Sequence, residues 1–188
     1  MKETNLPVLY PKSEAEWRSW LEANHLKAKG VWVEMPRQDT GIPGITWKIC
    51  VKQALCFGWI DSKKVKVNAQ FSRQWVSPRK PKGMWSLINK NLISELEKDG
   101  LMYPAGMQAV ARAKENGAWS LLDSVDALLI PADLQKRFDL VKGSEALFRT
   151  KSKSFQKQAL AQLVLAKTTE TREKRISALL SSILPRSK

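Results

Sequence analysis

The sequence predicts an α+β protein: a mixed N-terminal lobe over residues 1–100, with a small antiparallel sheet and helices, then an all-helical C-terminal lobe over 101–188. Two observations predict this. Residues 64–76 alternate apolar and polar with a period of two, whereas the segments on either side repeat at helical spacing. After Gly100 no strand pattern recurs. A chain of 188 residues that is 43% apolar, with eight Trp, has ample material for a core and is unlike a disordered composition.

Each element has a local reason. Ser13 and Glu16 form a capping box ahead of Trp17, Trp20 and Leu21, which share one helical face, and Gly30 ends the segment. Val31-Trp32-Val33-Glu34-Met35 is β-branched and aromatic and stops at Pro36, so it predicts a strand. Gly41 to Gly44 is a loop. Thr46 then caps a helix through Phe57 that is apolar on several sides (Trp47, Cys50, Val51, Ala54, Leu55), with Gly58 as its stop. Val65, Val67 and Ala69 alternate with Lys64, Lys66 and Asn68; Phe71, Arg73 and Trp75 alternate with Ser72, Gln74 and Val76. The pair predicts a hairpin closed by Pro78 and Pro81.

Helical spacing returns from Trp85 with Ile88, Leu92 and Leu96, stopped at Asp99-Gly100. Pro104 suits a first helical turn, with Met107, Val110 and Ala111 directed inward and Gly117 as the stop. Short helices near 131–140 and 145–148 precede two longer ones, from Ser154 to about Ala166 and from Thr169 to Leu184.

Composition also limits function. Two Cys and one His, with no metal-spaced pairs, argue against disulfide scaffolds and the usual zinc sites. Cys50 and Cys56, six apart on a helix, point away from each other and read as buried reduced thiols. Charged residues within the first 17 leave no apolar leader segment, and Leu128-Leu129-Ile130 is halted by Pro131. The expectation is a cytoplasmic protein without a membrane span. No glycine-rich phosphate loop, dinucleotide fingerprint or nucleophile with a nearby base appears, so no cofactor is expected. His25, at the end of the first helix, reads as a cation favoured by the helix dipole.

The net charge of +14 is unevenly spread. Residues 51–100 hold 10 basic and 4 acidic residues, and 151–188 hold 9 and 2, while 101–150 balance at 6 and 6. Such asymmetry points to an anionic partner, with a solvated face as the plainer alternative. The most unusual stretch runs from Arg73 to Asn89. Arg73, Arg79, Lys80 and Lys82 precede a helix start, where the positive dipole end already favours an anion. Pro78 and Pro81 stiffen the loop, and Trp75 and Trp85 offer a stacking face or a pocket wall. Ser86 and Asn89 follow, and upstream Trp59 and Asp61 precede the basic strands. Asp61, the sole acid between Lys52 and Glu95, could orient a guanidinium or simply cap a turn. Arg172 and Arg175 could meet a phosphate backbone, but together with Glu173 they read better as a solvated face.

Several short patterns resemble the YdeI/OmpD-associated, bacteriocin-protection family. They are Trp17-x-x-Trp20-Leu21 with Asn24-His25, Gly30-Val31-Trp32, Ala54 through Ser62, and Ser77-Pro78-Arg79-Lys80-x-Lys82-x-x-Trp85-Ser86-x-x-Asn89. Gly100-Leu101-Met102-x-Pro104-Ala105-Gly106, Ala166-Lys167 and Thr171-Arg172-x-x-Arg175-Ile176 continue the series. Arg73-Gln74-Trp75 departs from the family habit. The resemblance implies a role in envelope stress and antimicrobial-peptide resistance with a porin partner, and brings no catalytic residues with it. The resulting expectation is a non-catalytic protein that binds an anionic ligand or protein partner through Trp59, Asp61, Arg73, Arg79, Lys80, Trp85, Ser86 and Asn89. Non-specific nucleic-acid binding through both basic blocks, and an enzyme with Asp61 in a cleft, are the alternatives.

Overall fold

The computed structural model describes residues 7–38 and 40–185. Contacts divide the chain into two compact units, one of residues 1–83 with 88–119, the other of 84–87 with 120–188. The sequence places the division near residue 100; the contacts carry the first unit on through Trp119.

The first unit contains β1 (Val8–Leu9), α1 (Glu14–Asn24), β2 (Val31–Pro36), α2 (Trp47–Cys56), β3 (Trp59–Lys66) and β4 (Phe71–Pro78). Two further helices, α3 (Leu87–Lys98) and α4 (Pro104–Glu115), complete it from residue 88 onward. The strand order is β1-β2-β4-β3; β2, β4 and β3 are antiparallel and β1 is parallel to β2. The sequence carries no sign of β1, because two residues are too few to show a period. Ser13 and Thr46 cap α1 and α2 as their positions suggest, accepting from the amides of Glu16 and Ile49.

One face of the sheet is covered. Val31, Val33 and Val76 are fully buried there, near the wholly buried Cys50, Val51, Ala54 and Leu55 of α2. Trp17, stacked on Trp20 of the same helix, ties α1 to α2 by donating its Nε1–H to the Cys50 carbonyl at 3.0 Å. Burying an indole of that size stabilises by roughly 2–3 kcal/mol, provided its N–H keeps a partner. Gly58 turns the chain from α2 directly into β3 with φ of 73°, a conformation costly for any residue with a Cβ. Gly106 solves a different problem: a Cβ there would lie 2.2 Å from the Cys56 carbonyl oxygen, so only glycine lets α4 approach the end of α2.

His25 caps the C-terminal end of α1 as its position suggests, with Nδ1 2.9 Å from the Leu21 carbonyl and its buried ring against Phe57 and Tyr103. Two local readings need correction. Met107 and Ala111 point outward on α4, and Gly106, Ala109, Val110 and Ala113 form its buried stripe. Trp47 is 43% exposed instead of lying in the core.

The second unit is helical: α5 (Asp123–Asp126), α6 (Ala132–Leu140), α7 (Ser144–Thr150), α8 (Lys153–Val164) and α9 (Thr169–Ile183). Its core joins Leu134, Phe138, Phe148, Leu160, Leu163, Ile176, Leu179, Leu180 and Ile183, residues spaced three or four apart on their helices. Among the described residues, no helix is long and apolar enough to cross a membrane.

Candidate anion-binding cleft

The covered face of the sheet changes character along its length. Cross-strand register places Val31, Val76 and Asp61 in one row, Val33, Gln74 and Lys64 in the next, and Met35, Ser72 and Lys66 in the third. Partners in register share a face. The face therefore runs from apolar to polar. A bulge between Asp61 and Lys64 is the cause: it inserts one extra residue, so the residues on this face switch from odd to even positions. Without it, Lys64 and Lys66 would project from the opposite face, as their alternation with Val65 and Val67 suggests.

At the polar end lies a cleft of about 1110 Å³. One wall is formed by Met35, Ser72, Lys64 and Lys66 of the sheet, the other by the loop after β2 and the first turn of α2. Arg37, Lys48, Lys64 and Lys66 line it, and no acidic side chain does so among the described residues. None of these four cations has a carboxylate within ion-pair distance among the described residues. The positive end of the α2 dipole adds to their field. Four exposed positive side chains lining one cleft make its potential positive, which favours a bound anion.

Beside the cleft stands a chain of three polar side chains. Gln74, only 2% exposed, donates from Nε2 to Asp61 Oδ2 at 3.0 Å and to the Ser62 carbonyl at 3.3 Å. The same Oδ2 accepts the Trp47 Nε1–H at 2.9 Å. Asp61 thus ties β3 to the first turn of α2 and sets the angle of the indole that lines the cleft. Its negative charge also raises the Cys50 thiol, which burial already pushes well above the ordinary range. Cys50 and Cys56 are both buried free thiols.

The residues singled out from sequence are scattered by the fold. Trp59 is 1% exposed, donates to the His25 carbonyl at 3.2 Å and packs edge-on against Trp20, so it belongs to the core. Arg73 pairs with Glu34 directly across the ladder at 2.7 Å, a cross-strand contact on the other face. Arg79 is half-buried; burial lowers its guanidinium to about 10, with Asp61 acting in the opposite sense. Lys80 is exposed, its carbonyl accepting the Gly83 amide in a tight turn. Trp85, buried, and Ser86, half-buried, group with the second unit, whereas Asn89 groups with the first. Of the eight, only Asp61 adjoins the cleft, through Trp47.

Sequence reasoning overlooked Arg37, Trp47, Lys48, Lys64 and Lys66. The signal for Lys64 and Lys66 was their alternation, but a bulge has no fixed sequence mark. Trp47 was masked by its apolar neighbours on α2.

The second basic stretch is arranged differently. Arg172 forms a fork onto Asp133, with Nε on Oδ2 and Nη2 on Oδ1 at 2.9 Å, and its Nη1 reaches the Leu163 carbonyl at 2.7 Å. Arg175 Nη1 donates to the Gln162 carbonyl. The solvated face expected of Arg172 is therefore a tether between α6, α8 and α9. Among the described residues, no group of three His, Cys, Asp or Glu side chains could hold a metal ion.

No curated protein and no solved structure matches the chain. Residues 127–184 match the OmdA family, described as Bacteriocin-protection, YdeI or OmpD-Associated. Residues 9–109 match a Domain of unknown function (DUF8412). The motifs at 166–176 fall inside the first match, and those at 17–106 fall inside the second. With the match over residues 9–109 spanning more than half its length, the chain belongs to the DUF8412 family.

Proposed function

We propose that this protein binds an anionic small molecule in the cleft of its first unit, as part of the bacteriocin- or stress-protection role that the OmdA match suggests. The observation that carries the reading is the cleft lining: four cations without carboxylate partners and no acidic side chain among the described residues. Lys64 and Lys66 are both exposed and stand in cross-strand rows with Gln74 and Ser72, at the end of the sheet that lines the cleft. The Arg79 loop, with its half-buried guanidinium, is a structural feature in this reading, and Asp61 is a positioning residue engaged by two neutral N–H donors.

Inorganic phosphate titrated at low ionic strength tests it. Binding should raise the melting temperature of the intact protein, and Lys64→Ala with Lys66→Ala should remove most of that rise, whereas Arg79→Ala or Lys80→Ala should leave it. A shift that survives the lysine pair and disappears with Arg79 would move the site to the loop. Steep salt dependence together with binding of long single strands would favour the nucleic-acid reading instead.

A further inference from the structure

The cleft has one surface that a bare anion would leave unused. Trp47 is 43% exposed, although large indoles are mostly buried in folded proteins. No aromatic ring stacks on it among the described residues. Its orientation is nevertheless held at the edge, through the Nε1–H to Asp61 Oδ2 bond of 2.9 Å. That oxygen is held in turn by Gln74, a buried amide flanked on its strand face by Ser72 and Val76 and cross-paired to Val33.

A buried amide is costly unless all its polar atoms find partners. Gln74 Oε1 finds none among the described residues. The fold therefore keeps an incompletely satisfied polar group on a sheet face beside Val33 and Val76, and what that group does is fix a carboxylate that fixes an indole. A solvent-exposed tryptophan needs no such support for stability. It needs it to present a flat face at a set angle beside Lys48, Lys64 and Lys66.

We infer that the ligand carries an aromatic ring next to its anionic group, in the class of a mononucleotide, with the base on the face of Trp47 and the phosphate among the lysines. The inference rests on the anion-binding reading above and names its ligand class. A cavity of about 1110 Å³ accommodates such a molecule whole. Ring stacking and charge pairing are separable contributions, because the first survives salt and the second does not.

The test uses the intact protein and two probes with the same phosphate, adenosine monophosphate and ribose 5-phosphate, titrated calorimetrically at low salt. Adenosine monophosphate should bind at least about fivefold more tightly, the lower end of what stacking on an aromatic side chain contributes. Trp47→Ala should erase that gap while leaving ribose 5-phosphate unchanged, and Lys64→Ala with Lys66→Ala should weaken both. The comparison of probes on the unmodified protein needs no variant. Equal affinity for the two probes would overturn the aromatic inference and leave anion binding standing. Failure of both to bind would overturn the two together. Binding of a ten-nucleotide single strand without detectable binding of the monophosphate would overturn the inference in favour of a polymer ligand.

Discussion

Two stretches of the chain carry almost the same excess of positive charge, and the structure uses them in opposite ways. Around the cleft, Lys64 and Lys66 join Arg37 and Lys48 without carboxylate partners among the described residues. In the second unit, Lys157 meets Asp126 at 2.8 Å, Lys174 meets Glu170 at 2.7 Å, and Arg172 and Arg175 are engaged by a carboxylate and backbone carbonyls. Asp126 and Asp133 come from the middle stretch, whose basic and acidic residues balance. Charge excess counted along the chain is thus a poor guide to a site. What distinguishes the cleft is that its cations line one concavity and, among the described residues, have no carboxylate partner.

The strongest way to break this comparison is to remove Arg172 on one side and the two cleft lysines on the other. Arg172→Ala should cost about 1–2 kcal/mol of stability, since it deletes a two-pronged charged contact and a bond to a carbonyl, in a partly solvated setting that reduces their worth. Lys64→Ala with Lys66→Ala should stay within about 0.5 kcal/mol of the original protein in urea unfolding. Equal losses would mean that the cleft lysines are structural after all.

Acid sharpens the contrast. Hydrogen bonding from Arg172 holds the Asp133 carboxyl below its ordinary value of 3.8. A carboxyl depressed in the folded state adds stability that is complete above its unfolded value and is lost as pH falls through the lower folded one. The stability gap between the original protein and Asp133→Asn, on the order of 1 kcal/mol or less at this exposure, should persist down to about pH 4 and close below it. A gap unchanged at pH 2 would break the assignment.

The smallest effect belongs to Arg73. It lies in the first basic stretch yet pairs with Glu34 across the strands, so Arg73→Ala should cost about 0.5 kcal/mol and leave phosphate affinity unaltered. A tenfold loss of affinity would return Arg73 to the site.

Much of the first unit's local structure was legible because its signals are local. Ser13 and Thr46 cap helices by hydrogen bonds to amides three residues on, and Gly58 stops α2 through its own backbone angle. The candidate site was far less legible. Trp59, with its strand-like neighbours and a carboxylate two residues on, has the same sequence character whether it lines a pocket or fills a core. Only its 1% exposure and its bond to the His25 carbonyl separate the two. Trp47 shows the reverse error: an apolar helix conceals an indole that stays half outside.

The amino-acid order by itself determined the α+β class, the limits of most helices, the hairpin, and the excess of cations, since each follows from propensities and periods within a few residues. Tertiary structure alone decided which face Lys64 and Lys66 take, because a bulge reverses strand parity and leaves no composition behind. It also decided which arginine meets which acid: Arg172 and Asp133 are 39 residues apart, and only the folding of α6 against α9 brings them together.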